Sequence, residues 1–228
     1  MAKYKIINGE GIIPNGTTEI ADNAFSWSYE LKSITIPTSV TKIGDYAFDR
    51  CEALTSVNIP KSVTEIGAGA FSGCYALTCI NIPESVTEIG AWAFNKCKAL
   101  TSINIPDSVT EIGDLAFRWC EALTSINIPN SVTEIGEGAF RWCEALTSIN
   151  IPDSVTEIGR WAFDGCENLK EIILYQTDPS KIKVSERSGL YKTQATLYVP
   201  KEGVAAFQKD SFWSECAAIK PITDDMIK

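Results

Sequence analysis

The chain has 228 residues, 45% of them hydrophobic and 21% charged, with a net charge of −9 at pH 7. This composition fits one sizeable folded domain, and without a Lys/Arg cluster it argues against nucleic acid as a partner. No apolar run approaches the roughly 18 residues of a membrane-crossing helix, and the absence of histidine removes Ser/His/Asp and Cys/His catalysis, imidazole metal ligation and a near-neutral proton shuttle.

In chain order, the opening "MAKYKIINGEG" contains no apolar stretch of the kind a signal peptide needs, so an exported protein would hold this chain as a trimmed piece. Residues 1–13 are expected to form a degenerate half-coil that covers an otherwise open end. From there the sequence repeats. Pro14, Pro37, Pro60, Pro83, Pro106, Pro129 and Pro152 are 23 residues apart, and the Leu31 to Leu169 and Phe25 to Phe163 series keep the same step. A period of 23 with the skeleton "LTSINIP" belongs to the leucine-rich repeat class. Alternation in "TSINIP" predicts a strand with isoleucines inward and Ser and Asn outward, closed by a proline that cannot donate to the ladder. "SVTEIG" returns the chain, with Gly44, Gly67, Gly90, Gly113, Gly136 and Gly159 expected to supply positive φ in a tight turn. The "AF..C.AL" segment is too short for a full helix and is expected to be a helical turn or a 3₁₀ stretch. No coil can bury its inward side chains alone, so neighbours must stack to make a continuous core. About seven coils are expected over residues 14–175. Residues 176–228 are expected to form a C-terminal cap and tail, with a strand at "ATLYVP", an amphipathic helix at "EGVAAFQKDSFWSE" and a last strand at "AIKPI".

The motif "LTSINIPDSVTEIGxxAFxxCxA" resembles the BspA-like leucine-rich repeat, with 23-residue repeats of the treponemal type, and "ATLYVPKEGVAAFQ" is similar to the element that often follows such arrays. The resemblance covers nearly the whole chain. It implies a right-handed leucine-rich repeat solenoid, β-rich and of the α/β superhelix class, with short strands, helical turns and a C-terminal α+β cap. It also implies a bacterial or protist protein, at the cell surface or secreted, that adheres to or binds host components, with no catalytic residues. The near identity of the coils, including "RWCEALTSINIP" written twice from Arg118 and Arg141, suits a constructed consensus scaffold without a natural ligand as the alternative.

Cys51, Cys74, Cys97, Cys120, Cys143 and Cys166 lie on the period, one per coil. They do not converge as a zinc site requires, and regular stacking keeps them at a separation unsuited to disulfides, so they are read as buried thiols. Cys79 replaces an outward Ser and is expected to face solvent. Glu65, Glu88, Glu111, Glu134 and Glu157 form a column read as a solvated charged edge. No cofactor or metal is expected.

Two surfaces could bind a ligand. The strand face carries Asn58, Asn81, Asn104, Asn127 and Asn150 beside a Ser column. It suits a repetitive glycan or polymer, although an Asn/Ser ladder that merely stabilises the stack is the simpler reading. Variation is concentrated around "AF", in one column running Tyr46, Gly69, Trp92, Leu115, Gly138, Trp161 and another running Arg50, Gly73, Lys96, Trp119, Trp142, Gly165. Trp92, Trp119, Trp142, Trp161, Arg118 and Arg141 are the anchor types of protein interfaces. They are the leading candidates to hold a host protein, matrix component or glycan; the plainer reading has them packed over the turns with Arg stacked on Trp.

Overall fold

The computed structural model describes residues 4–226. The first residues of the expected half-coil and the last two of the expected tail lie outside them. Lys5–Ile7 and Glu10–Ile12 form an antiparallel hairpin, and the second of these strands pairs in parallel with Ser33–Ile34. From that point the chain stacks coil on coil. One ladder passes through Gly11, Ile34, Val57, Ile80, Ile103, Ile126, Ile149, Ile172, Leu197 and Ile219. A second follows the "TEIG" segment from Ile20 to Ile66 and again from Ile89 to Ile158, where it takes up Val184. Stacking therefore continues past Tyr175, through Thr196–Val199 and Ala218–Pro221, although the 23-residue spelling has stopped.

The strands alternate as expected, with Val57 and Ile80 buried between exposed neighbours. Phe25 to Phe163 form one stacked column, their centroids 5.2–5.7 Å apart. At this spacing each ring covers the next, and full burial of each is worth roughly 1.5–3 kcal/mol. The cysteine column lies beside it with free thiols. Each is more than a space-filler: Cys74 Sγ donates to the Phe48 carbonyl of the preceding coil at 3.2 Å, and Cys97 to Phe71 in the same way. Burial pushes the Cys51 and Cys166 thiols up to about 12, and those of Cys74, Cys97, Cys120 and Cys143 well above the ordinary value.

Two local expectations are corrected, and the expectation of helical turns at "AF..C.AL" holds. The "TEIG" glycines do not have positive φ. All but Gly90 are required because the coils touch there: a Cβ on Gly136 would lie 2.7 Å from the Asp114 backbone nitrogen, and one on Gly44 would lie 2.6 Å from that of Asp22, whereas one on Gly90 would meet nothing nearer than 3.4 Å. The "AF..C.AL" segment keeps bonds from i to i−3, such as Ala47 N to Gly44 O and Asp49 N to Tyr46 O. It never becomes a continuous helix, because left-handed residues such as Tyr46 and Arg50 (φ 54° each) recur every fourth position. Alternate N–H groups then point along the stack: Tyr46, Phe48 and Arg50 donate to the carbonyls of Ala68, Ala70 and Ser72 in the following coil. At the "TEIG" corner the sense is reversed, Gly44 N donating to Ile20 O of the preceding coil. Finally, the expected C-terminal helix is confined to Val204–Phe207, with a 3₁₀ turn at Trp213–Glu215. Asp210 interrupts it by accepting, through its side chain, from the N–H groups of Phe212 and Trp213.

One seam interrupts the regularity. Among the described residues, no backbone hydrogen bond joins the Glu65–Ile66 strand to Glu88–Ile89, and Phe71 and Phe94 are the most widely separated ring pair, at 5.7 Å. Three other junctions carry an aspartate bridge: Asp22 Oδ1 accepts from Asp45 N, Asp45 Oδ1 from Ala68 N, and Asp114 Oδ1 from Glu137 N. At the seam that position is Ala68, which offers no acceptor; Ala91 offers none at the next junction either, yet there Glu88–Ile89 pairs with Glu111–Ile112.

Candidate functional site

Both variable columns coincide with the left-handed backbone positions. Trp27, Tyr46, Arg50, Trp92, Lys96, Leu115, Trp119, Trp142 and Trp161 all have φ between 54° and 63°, and the glycines in the same columns, Gly69, Gly73, Gly138 and Gly165, have φ of 59–77°. For a bulky residue this conformation costs roughly 1–2 kcal/mol. Glycine would avoid that strain. Even so, five of the six tryptophans of the chain occupy these positions, Trp213 alone being elsewhere.

The structure brings Trp119, Trp142, Trp161, Arg118 and Arg141 together. Trp119 and Trp142 stack with centroids 5.1 Å apart and planes 12° apart. The Trp142 ring covers Gly165, where a Cβ would come within 2.5 Å of its Cε3. Arg141 lies 5.8 Å from the Trp142 ring and 5.2 Å from that of Trp161, with its Nε paired to Asp164 Oδ2 at 2.9 Å. Arg160 covers the other side of Trp161 at 4.6 Å. Arg118 lies 5.8 Å from Trp119; its buried Nε has no partner among the described residues, and burial followed by the nearby Arg141 charge lowers its pKa. The tryptophans of this patch are half-buried by one another, so packing and display coexist.

Trp92 is more exposed, at 42%, and lines a notch with Trp27, which is 54% exposed. Trp27, with Tyr29 against it edge-on at 6.2 Å, was missed by reading the columns from Tyr46; stepping back one further period gives Asn23 and Trp27.

On the strand face, Asn58, Asn81, Asn104 and Asn127 are exposed and Asn150 is half-buried. The expected side-chain ladder is not formed: among the described residues their amides make no hydrogen bond to one another. Backbone bridges do place these asparagines side by side, and stacked amides could pair there, but their side chains stay apart. A depression of about 490 Å³ lies there between Asn127, Asn150, Asp107 and Asp153. The acidic column ends in cations, Lys42 pairing with Glu65 at 2.7 Å and Lys183 with Glu157 at 2.6 Å. Burial and the flanking Glu134 and Glu88 raise the pKa of Glu111.

Compared with protein families, residues 10–124 and 110–223 match the BspA type leucine-rich repeat region, in six copies. The chain belongs to this family. Among solved structures, this BspA-type solenoid is similar to the T. pallidum leucine-rich repeat protein, with 33% identity over 74% of this chain and 77% of that one and a TM-score of 0.62. It is also similar to a leucine-rich repeat protein from Eubacterium ventriosum, with 29% identity, coverage of 72% and 50%, and a TM-score of 0.60. A leucine-rich cell surface protein from Faecalibacterium prausnitzii is 31% identical, with coverage of 94% and 60% and a TM-score of 0.51. The chain thus spans about half and three-fifths of the latter two. Compared with curated proteins, the sequence finds no match. No helix among the described residues is long and apolar enough to cross a membrane.

Proposed function

We propose that this BspA-type solenoid is a non-enzymatic binding module of a surface-displayed protein, holding a host protein, matrix component or glycan on its turn face. In this reading the end segments, residues 1–13 and 176–228, cap the array, and Trp119, Trp142, Trp161, Arg118 and Arg141 anchor the ligand, with Trp92 extending the same face. The observation that carries the proposal is the strain at these positions. The chain places tryptophan where the backbone favours glycine and where glycine also occurs, and residues held in costly conformations cluster at functional sites. Tryptophan and arginine are also the side chains that dominate binding energy at interfaces.

Replacing Trp119 and Trp142 together with glycine keeps a residue suited to the left-handed backbone, as Gly73 and Gly165 already show in that column. The double variant is expected to retain its circular dichroism spectrum and lose attachment to immobilised matrix protein or host cells. Unchanged attachment would overturn the anchor assignment.

A further inference from the structure

We infer that the notch on the turn face between Trp27 and Arg50 on one side and Trp92 and Lys96 on the other is a saccharide subsite for a carboxylate-bearing pyranose. The inference rests on the turn face being the binding surface but concerns a different part of it from the Trp119–Trp142 stack.

The notch exists because one coil carries glycine in both left-handed columns. Gly69 is covered by the Tyr46 ring, whose Cε1 would lie 2.4 Å from a Cβ placed there. Gly73 has only the Arg50 stem against it, with Cγ 3.0 Å from a Cβ placed there, and a space of about 280 Å³ opens beside it. Its walls are amphipathic in the way a sugar is. Trp27 and Trp92 are partly exposed aromatic side chains lining it; Arg50 covers one face of Trp27, so the Trp92 ring and the uncovered part of Trp27 are offered to the C–H face of a pyranose. Between them Asp49, Ser72 and Asn95 supply hydrogen-bonding groups for hydroxyls. Asn95 Oδ1 is buried without a partner among the described residues, while its Nδ2 is 3.5 Å from Ser72 Oγ. A buried acceptor left unsatisfied costs about 1–3 kcal/mol, and a ligand hydroxyl would relieve it. A purely aliphatic peptide anchor would leave that acceptor unpaired.

Charge selects among sugars. Arg50, held 4.4 Å above the Trp27 ring, and Lys96 line the notch against the single acid Asp49, in a chain whose net charge is −9. This local excess of positive charge favours a carboxylate on the ligand. It also disfavours a quaternary ammonium group, the other usual guest of clustered aromatic faces.

The test uses a tetrasaccharide alternating glucuronic acid and N-acetylglucosamine, with a neutral glucose tetrasaccharide as control. The full chain is titrated with each and followed by tryptophan fluorescence and by the indole N–H resonances. Binding of the acidic sugar is expected to perturb Trp27 and Trp92. Gly73→Gln fills the notch with a long uncharged side chain, at a position whose column accepts the longer Lys96, and is expected to weaken binding by at least about tenfold; Arg50→Gln is expected to weaken it similarly and to remove the preference over the neutral sugar. The inference is overturned by an acidic sugar that does not bind at about 10 mM, by equal binding of the neutral sugar, or by a Gly73→Gln variant that binds as well as the parent. If matrix attachment still depends on Trp119 and Trp142 in that event, the notch assignment alone is lost and the broader function stands.

Discussion

The core side of each coil and its turn face obey different rules, although only a few residues separate them. Phe94, Cys97 and Gly113 face the neighbouring coil, and their types recur throughout the array with little latitude. Trp92 and Lys96, interleaved with them, occupy columns that also hold Gly, Tyr, Leu and Arg. The left-handed backbone sends these side chains out of the stack, where the adjoining coil does not dictate their shape. Repetition in this chain is enforced by contact between coils, and diversity collects where contact ends.

The largest test of the core side is alkaline. In the unfolded chain thiols lose their protons near the ordinary value of 9, whereas Cys51 and Cys166 hold theirs to about 12 and the four between them are also raised. Between those values the native state binds more protons, so stability falls as pH rises; below pH 9 the thiols contribute no slope. Each fully shifted thiol contributes up to about 1.4 kcal/mol per pH unit, and six together should outweigh any single substitution, lowering the melting temperature steeply from pH 9 to 11. A flat profile over that range would mean that the column is not buried.

Next in size is Phe94→Ala, expected to destabilise by about 3–5 kcal/mol in urea unfolding because it opens a void in the middle of the ring column. Gly136→Ala should cost about 1–3 kcal/mol, since the new Cβ meets backbone that cannot move independently. At the seam, Ala68→Asp should restore the missing bridge to Ala91 N and add about 1 kcal/mol, read as slower amide exchange between the Glu65 and Glu88 strands. On the turn face, Leu115→Gly is expected to change stability by less than about 1 kcal/mol, because relief of left-handed strain opposes the greater chain entropy of glycine. A large loss there would erase the distinction between the two sides.

The fold was legible because its signals are periodic: Pro14 to Pro152 set the coil length, and the Ile/Ser/Asn alternation set the buried face. The candidate columns were legible as variation around "AF", but the reason for them was not, since nothing in the letters distinguishes a left-handed Trp92 from an ordinary one. Their glycines carried the missing clue. Gly69, Gly73, Gly138 and Gly165 have the positive φ that the sequence reading assigned to the "TEIG" glycines, which, Gly90 apart, instead lack a side chain because backbone presses against them. Stacking beyond Tyr175 was hidden because Leu197 and Ile219 continue the ladder at spacings other than 23.

The opposed senses of the peptide bonds carry a further consequence. On the turn wall the amides of Tyr46, Phe48 and Arg50 point toward later coils, while at the "TEIG" corner that of Gly44 points toward an earlier one. An α-helix sums its peptide dipoles from end to end, but here the two walls oppose each other, so adding a coil lengthens the array without steepening an axial field. What survives is local: the wall bearing the tryptophans is polarised along its length, and a charged chain lying on it would sense which way to run.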